Sequence, residues 1–587
     1  MFSRLVVLKF LINSAEASTS KEHEMHSNYI RRSRIIAIPC LGAMLFGSLS
    51  IHAQSTNRQI GTQLTVTADP LVARPHTKSC VVPLFTNYQF AFFSDTTQNY
   101  QFAPPANCPG PWNKVVLDID FSETAGRQFD RTASLYMGNT NLYFGTTPEP
   151  IRTAANAWHI ERDITDYSAL LANPQQGFMI LQNCTTDCPP PYNTLLTGVF
   201  TVSAFVEFFP TPGQGPAPRV ADEVLPLVQT NAGGSNFPAF LFSPTDQFST
   251  TFSLPQNIEQ AYLDVIAQSQ STDEQWYGCF PNDLGSINEV YLCGNTDFRE
   301  TEVTIDGQPA GIAPVSPWVY TGFLPDQWRP MPAAQTLDFI PYRVNLTPFA
   351  SMLNDGQPHT IALSVFNDDS YFSAAASLLL YLDRGSAEVT GALTQNTLTV
   401  PSPVVSENLQ GTSTVTGTIG VTSARSYTIA GYVNTSHGQV STSISQQQNF
   451  SSTQTIDFDV VNFTVLDQNT DVETNVISST TVNDNQGTTV IQEKFGFPIA
   501  VDFVFPTNTT FGFTVATTQK YTASKKVSVN GTVTDYTSVT NSVEGSDVTP
   551  PSSSQHYSFF DLNGRPYDCR IATQNNVLTS VSVGCNH

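Results

Sequence analysis

Short runs of alternating hydrophobic and polar residues make up most of the chain. Examples are residues 114–120, 132–137, 198–209 and 261–267. Gly, Pro, Asn and Asp separate these runs, and a period of two between turn residues is typical of strands in β-sandwiches. Because almost no stretch repeats hydrophobic residues at helical spacing, the pattern predicts an all-β fold.

Breaks in this pattern divide the chain. A Pro- and Gly-rich stretch at 210–219 separates two halves of similar character, and beyond residue 386 the composition shifts to alternating Thr, Ser, Val and Asn. A chain of 587 residues also exceeds the size at which one hydrophobic core keeps growing. The predicted parts are a secretion signal with an upstream segment (1–53), a first β-sandwich (54–226), a second β-sandwich (227–385) and a C-terminal β-rich region, expected to be a structural support (386–587).

The predicted signal consists of Arg31, Arg32 and Arg34, an apolar run at 35–49 and a cleavage site at 51–53. Because the paired arginines also suit twin-arginine export, the protein is predicted to be secreted or periplasmic. No other apolar run approaches the roughly 20 residues that span a bilayer, so no membrane association is expected.

Composition narrows the possible functions. Lys and Arg number 26 against 49 Asp and Glu, a net charge of -23. Such a chain has no positive field to attract nucleic acid or anionic lipid, so neither is an expected partner.

Eight cysteines follow the signal, an even number that suits an oxidising compartment. Eight cysteines allow about 105 connectivities, but their grouping suggests local pairs. These are 80 with 108, 184 with 188, 279 with 293 and 569 with 585. A zinc site would need close Cys or His couples that converge, and histidine is scarce, so no metal is expected.

Several short motifs follow one another in a fixed order. They include Asn107-Cys108-Pro109, Phe129-Asp130-Arg131, Trp276-Tyr277, Phe298-Arg299-Glu300, Ile305-Asp306-Gly307 and Leu346-Thr347-Pro348-Phe349. In these motifs the chain resembles the almond-type peptide:N-glycosidase A family. The resemblance implies an amidase that hydrolyses the N4-(N-acetyl-beta-glucosaminyl)asparagine bond of N-glycosylated peptides and proteins. Such an enzyme releases the glycan as a glycosylamine, leaves aspartate and needs no cofactor. A monomer is expected.

Residues 130–136, 161–167 and 260–263 are similar, more distantly, to segments of the flavobacterial peptide:N-glycosidase F type. That likeness implies two antiparallel eight-stranded jelly-roll sandwiches side by side, with the active site between them and Asp130 as the catalytic residue. Two assisting glutamates of that type align with Asn183 and Asn295, which become candidates for substrate binding. Since amides would replace two neighbouring carboxylates, we expect a lower pKa of Asp130 than in an enzyme that carries both acids, and a pH optimum below about 6.

Four further residues are candidates for substrate binding. Glu149 follows Thr-Thr-Pro at an expected loop tip, where function often lies. Trp158 and Trp276 are candidate rings for stacking on a sugar, although most tryptophans are core residues. Arg299 either donates hydrogen bonds to glycan oxygens or pairs with Glu300.

Two other function classes stay open on sequence alone. A non-catalytic carbohydrate-binding or adhesin-like protein also has Thr-rich strands and scattered aromatic residues. A glycosidase would use two carboxylates about 5 to 10 Å apart. A serine hydrolase is excluded, because the chain has neither a G-x-S-x-G motif nor alternating strands and helices.

Overall fold

The computed structural model describes ten segments of the chain. These are residues 65–149, 152–211, 217–231, 234–284, 293–319, 330–461, 464–504, 514–548, 550–564 and 566–585. The predicted secretion signal at 1–53 lies outside the described residues.

The first sandwich contains eight strands. They are β1 (Cys80–Phe90), β2 (Thr97–Phe102), β3 (Trp112–Glu123), β4 (Thr132–Met137), β5 (Thr140–Thr146), β6 (Asn156–Asp163), β7 (Gln175–Leu181) and β8 (Phe200–Pro210). One sheet has the order β1-β8-β3-β6 and the other β2-β7-β4-β5, which is the strand order of a jelly roll. Helices α1 (Ser168–Leu171) and α2 (Tyr192–Leu195) and a 3-10 turn (Thr165–Tyr167) lie in its loops. Alternate residues of β8 point between the sheets and form the core.

The second sandwich repeats this topology. Its strands are β9 (Glu223–Pro226), β10 (Gln229–Asn231), β11 (Gly234–Asn236), β12 (Ala239–Leu241), β13 (Phe248–Ser253), β14 (Ile258–Gln270), β15 (Glu300–Ile305), β16 (Gln308–Pro314), β17 (Tyr342–Asn345), β18 (Pro358–Phe366) and β19 (Tyr371–Leu382). The sheets β12-β19-β14-β17 and β13-β18-β15-β16 correspond strand for strand to those of the first sandwich. β9 also pairs with β19, and β10 pairs with β11. Helix α3 (Ala350–Leu353) and 3-10 turns at Ser271–Asp273, Trp276–Gly278 and Thr347–Phe349 complete it.

The C-terminal region is one 12-stranded antiparallel sheet. Its strands are β20 (Thr390–Asn396), β21 (Val404–Gln410), β22 (Thr414–Thr435), β23 (Gly438–Asp459), β24 (Thr464–Asp484), β25 (Gly487–Gly496), β26 (Ile499–Val504), β27 (Thr514–Val529), β28 (Thr532–Ser546), β29 (Ser552–Asp561), β30 (Tyr567–Gln574) and β31 (Val577–Val581), followed by a 3-10 turn (Val583–Cys585). Alternate residues of β23 are buried, and Val440 and Phe450 belong to the core of the second sandwich. One face of this sheet therefore packs against that sandwich.

The two sandwiches meet through the β4–β5 side of the first and the β14–β19 side of the second. Tyr143 donates its hydroxyl hydrogen to the carbonyl of Leu337 at 2.8 Å, and Thr132 donates to Gln268 Oε1 at 3.1 Å. A small apolar cluster lies in the same interface and contains Phe144, Ile266, Trp318, Phe339 and Ala375. Hydrogen bonds and apolar packing thus hold the two sandwiches in a defined register.

The all-β prediction is confirmed, and so are the four local disulfides, Cys80–Cys108, Cys184–Cys188, Cys279–Cys293 and Cys569–Cys585. Within the described segments, every helix is too short or too polar to cross a bilayer.

Candidate active site

Four loops of the first sandwich leave the same end, those joining β1 to β2, β3 to β4, β5 to β6 and β7 to β8, because neighbouring strands in both sheets are antiparallel. Contacts between them confirm that they converge. Gln128 in the β3–β4 loop donates to the carbonyls of Cys184 and Gly198 in the β7–β8 loop, both at 3.2 Å. The backbone N–H of Arg131 donates to Thr147 Oγ1 in the β5–β6 loop at 2.9 Å.

Asp130 and Arg131 lie in the β3–β4 loop directly before β4, not within a strand as the motif suggested. Thr132, two residues after Asp130, is the first residue of β4. Thr132 Oγ1 contacts β14 of the second sandwich, where it also accepts a hydrogen bond from Gln270 Nε2 at 3.2 Å. Asp130 therefore lies at the junction of the two sandwiches.

The second sandwich brings a carboxyl of its own to this junction. Glu274 follows β14 and the turn Ser271–Asp273, four residues after Gln270, and its carboxyl is close enough to Asp130 for the two charges to interact. Both carboxyls are half-buried. The site thus contains two neighbouring acids that are far apart in sequence.

Burial and neighbouring charges raise the pKa values of these two acids to different extents. Burial raises the pKa of Asp130 to about 6, and the neighbouring positive charge of Arg131 limits the rise. Burial, together with the charge of Asp130, raises the pKa of Glu274 well above its usual value. The pKa of Glu274 is thus raised more strongly than that of Asp130, an order that suits a general acid beside a general base. A base with a pKa of about 6 does not fit the expected pH optimum below about 6, while the lower pKa expected relative to an enzyme that carries both acids stays a prediction.

Comparison with known proteins bears directly on this site. Residues 70–398, more than half of the chain, match the family model described as Peptide N-acetyl-beta-D-glucosaminyl asparaginase amidase A. The chain belongs to this family. The family expected from the sequence motifs is therefore confirmed, and the matched residues include both Asp130 and Glu274.

A curated relative of this amidase A member is Peptide-N4-(N-acetyl-beta-glucosaminyl)asparagine amidase A of Prunus dulcis. The two are 27% identical over 384 residues, which cover 63% of this chain and 65% of the almond protein. The match thus spans less than two thirds of the almond protein's length.

Two solved structures are also similar to this chain. One is a peptide-N(4)-(N-acetyl-beta-D-glucosaminyl) asparagine amidase, with 14% identity, a TM-score of 0.35, and coverage of 52% of this chain and 96% of that one. The other is PNGF-II, with 13% identity, a TM-score of 0.36, and coverage of 52% and 65%.

In this amidase A member, three carboxyls surround Arg131. Asp130, Glu149 and Glu123 all act electrostatically on its guanidinium, while burial lowers its pKa. Glu149 is buried against this group and does not occupy the exposed loop tip that the sequence suggested. Glu123 is also buried, and no donor among the described residues reaches either of its oxygens. Arg131 is thus a half-buried positive charge that interacts with Asp130 and two further carboxyls.

Asn183 lies in the β7–β8 loop but does not face substrate. Its amide nitrogen donates to the carbonyls of Phe90 and Gly198 at 2.8 and 3.1 Å, and its amide oxygen accepts from the N–H of Cys184. With its buried amide engaged by backbone, Asn183 holds three chain segments together. A direct role in substrate binding does not fit this position.

Asn295 lies in the loop before Arg299 and β15 of the second sandwich. It lines a cavity of about 580 Å³ between the second sandwich and β21, together with Asn282, Thr296, Asn367 and Glu407. Its amide oxygen accepts from Asn282 and its amide nitrogen donates to the carbonyl of Asp368. A bound ligand can therefore reach Asn295, but this amide is not among the groups that act on Asp130.

Both tryptophans predicted to stack on sugar are core residues. Trp276 is 0% exposed and packs near Phe450 of the C-terminal sheet, with ring centroids 6.2 Å apart. Trp158 stacks on Phe121 at 4.9 Å inside the first sandwich. Neither ring presents a face to substrate, and the prediction is wrong for both.

Arg299 is also a structural residue. Its Nε and Nη2 donate to Asp273 Oδ1 at 2.9 and 2.8 Å, and Nη1 donates to the carbonyl of Thr296 at 2.7 Å. Its side chain is 0% exposed, so it is closed to glycan oxygens. The alternative pairing with Glu300 is wrong too, because Glu300 binds Arg425 and Gln448 of the C-terminal sheet.

Sequence reasoning missed Glu274 as a site residue. The available signal was the acidic pair Asp273-Glu274 directly after a strand, in a chain with only 13% charged residues.

One group of metal-ligand side chains lies elsewhere, on the other sheet of the first sandwich. Ligand atoms of Asp118, His159 and Glu161 are within 4.8 Å of one another. Arg74 already donates to Asp118 at 2.9 Å and to Glu161 at 2.7 Å. The guanidinium therefore supplies the positive charge that a cation would bring.

Proposed function

We propose that this protein hydrolyses the amide bond between an asparagine side chain and N-acetylglucosamine in N-glycosylated peptides and proteins. Membership of the amidase A family supports the reaction class. The observation that carries the proposal is the pairing of Asp130 with Glu274 across the two sandwiches, with the pKa of one carboxyl raised to about 6 and that of the other raised further.

In the proposed mechanism Asp130 accepts a proton from water as the water oxygen attacks the side-chain carbonyl carbon. The carbon–nitrogen bond then breaks, and Glu274 donates its proton to the departing nitrogen. The products are a glycosylamine that carries the whole glycan and a peptide with aspartate in place of asparagine. Arg131, whose charge acts on Asp130, keeps this carboxyl ionised at neutral pH.

Mass spectrometry of the products in heavy-oxygen water tests this proposal. We expect an intact released glycan and a peptide aspartate that carries one heavy oxygen atom. A sugar left on asparagine would indicate a glycosidase, and an unchanged glycopeptide would indicate a carbohydrate-binding protein. Either outcome would overturn the proposal.

We further propose that the protein works as an exported monomer whose domains are the parts at 54–226, 227–385 and 386–587, except that β9 (Glu223–Pro226) belongs to the second sandwich. Four disulfides support an oxidising compartment. Light scattering of the secreted protein tests the monomer, and a dimer would contradict it.

A further inference from the structure

Three aromatic side chains cluster at the edge strand β12 of the second sandwich and its neighbour β19. Ring centroids lie 6.0 Å apart for Phe240 and Phe242, 6.1 Å for Phe240 and Tyr371, and 5.7 Å for Phe242 and Tyr371. Phe242 is 61% exposed, the other two rings are half-buried, and burying such a ring contributes favourable free energy. Because this cluster is partly exposed to solvent, a ligand that covered it would gain free energy by burying the ring surfaces.

The register of the sheet fixes which way these rings point. Leu241 and Phe372 are opposite each other and fully buried in the core. The residues next to them therefore point to the other face, since side chains alternate along a strand. Phe240, Phe242 and Tyr371 thus lie on the face of the sheet that carries Gln270, whose partner in β19 is Tyr371.

Polar contacts connect this cluster to the carboxylate pair. Tyr371 donates its hydroxyl hydrogen to Gln270 Oε1 at 3.5 Å, and Gln270 Nε2 donates to Thr132 Oγ1 at 3.2 Å. Thr132 is two residues from Asp130. Neighbouring strands are about 4.8 Å apart, so Phe242 lies about 10 Å across the sheet from Gln270.

The groups around the rings are hydroxyls, amides and one carboxylate. Ser243, Thr245 and Asp246 form the turn next to Phe242, and Gln270 and the Tyr371 hydroxyl lie on the other side. An apolar ring face bordered by such groups suits a pyranose, whose C–H face is apolar and whose hydroxyls both donate and accept hydrogen bonds.

We propose that Phe240, Phe242 and Tyr371 bind the glycan at a sugar beyond the one attached to asparagine. This inference rests on the proposed amidase function. Phe242 lies about 10 Å across the sheet from Gln270, and Gln270 contacts Thr132, two residues from Asp130. This distance is longer than one sugar ring, which places the contact past the first sugar. The glycan is favoured over the peptide as occupant because the side chains that flank asparagine vary between substrates, whereas the border of this cluster is built for hydroxyl groups.

Steady-state kinetics of Phe242→Ala test the proposal with two substrates on one peptide. The first substrate carries a single N-acetylglucosamine and the second carries a full glycan. We expect KM for the full glycan to rise about tenfold, from the loss of one stacking contact, with kcat unchanged. We expect no change for the single sugar. Phe242→Trp should keep the wild-type KM, and Phe560→Ala, at an exposed ring of the C-terminal sheet, is the matched control.

Equal effects on both substrates would overturn the proposal, and so would an effect that follows peptide length. Calorimetric binding of the released full glycan to the Asp130→Asn protein, with and without Phe242→Ala, gives a readout that needs no turnover. Weaker binding in the double variant supports the cluster even if the wild type proves not to be an amidase. Equal binding in the two proteins counts against the cluster, whatever the activity.

Discussion

Arg131 and Arg299 occupy equivalent places in the two sandwiches, since each directly precedes the fourth strand of its jelly roll, β4 or β15. Arg299 is buried and Arg131 is half-buried. Arg299 is saturated by the Asp273 carboxylate and by backbone carbonyls of its own loop. Arg131 donates to Gln128, but its Nε meets no acceptor among the described residues, although three carboxyls act on its charge.

The difference shows that equivalent positions of one topology can hold either a fully paired structural arginine or an incompletely paired arginine in the candidate site. A fully hydrogen-bonded ion pair fixes a loop and has no donors left for substrate. Incompletely satisfied charges beside a half-buried acid leave its pKa displaced, and such displaced groups concentrate at functional sites. The first sandwich therefore carries the proposed base, while the matching position of the second sandwich stabilises the loop that contains Glu274.

The largest expected effect is the loss of activity on substitution of Asp130. Asp130→Asn should lower kcat by about 10²- to 10⁴-fold, the range for loss of a general base, without changing the melting temperature. Asp120→Asn, at an exposed aspartate of β3, is the matched control and should keep full activity. Near-wild-type turnover of Asp130→Asn would remove the base from the mechanism.

The second prediction concerns stability. Arg299→Met leaves Asp273 buried without its partner and should lower the free energy of unfolding by about 3 to 5 kcal/mol in urea titrations. Arg131→Met should cost less, because this arginine forms fewer hydrogen bonds. Comparable losses of unfolding free energy in the two variants would contradict the distinction between the fully paired Arg299 and the incompletely paired Arg131.

A smaller effect is expected at the contact between the sandwiches. Thr132→Val removes the hydrogen bonds to Gln268 and Gln270, each worth about 1 kcal/mol. We expect kcat to fall about tenfold through misplacement of Asp130, with little change in melting temperature. Thr251→Val is the control, because this exposed threonine of β13 bonds Thr360 of β18 in the sheet that does not contain β14. Unchanged kcat in Thr132→Val would show that this contact does not position the base.

Local patterns explain which features were predictable from sequence. Alternation along β8 and the short spacing of each cysteine pair are local properties, and the structure confirms the strands and disulfides that they indicated. The outcome at Trp276 depended instead on Phe450, 174 residues away, which packs against it from the C-terminal sheet. Glu274 meets Asp130 only because β14 faces β4 across the two sandwiches. No period or motif encodes that contact.

Asn183 and Asn295 illustrate a second limit. Both were matched to assisting acids by sequence position, but one binds backbone and the other lines a cavity. Neither therefore sets the charge around Asp130. We expect Asn295→Glu to leave the acid limb of the pH–rate profile unchanged, and an upward shift of that limb would show that Asn295 does act on the base.

The pH dependence of kcat/KM for the wild type and Glu274→Gln tests the paired carboxyls most directly. Asp130 must be ionised, so activity should rise with pH through a midpoint of about 6. Glu274 must be protonated, so activity should fall again as pH passes its raised pKa. Glu274→Gln should lower the maximum and abolish the alkaline limb while leaving the acid limb in place, because Asp130, with a pKa of about 6, governs that limb. An acid limb well below pH 5, or an alkaline limb that survives the substitution, would contradict the account.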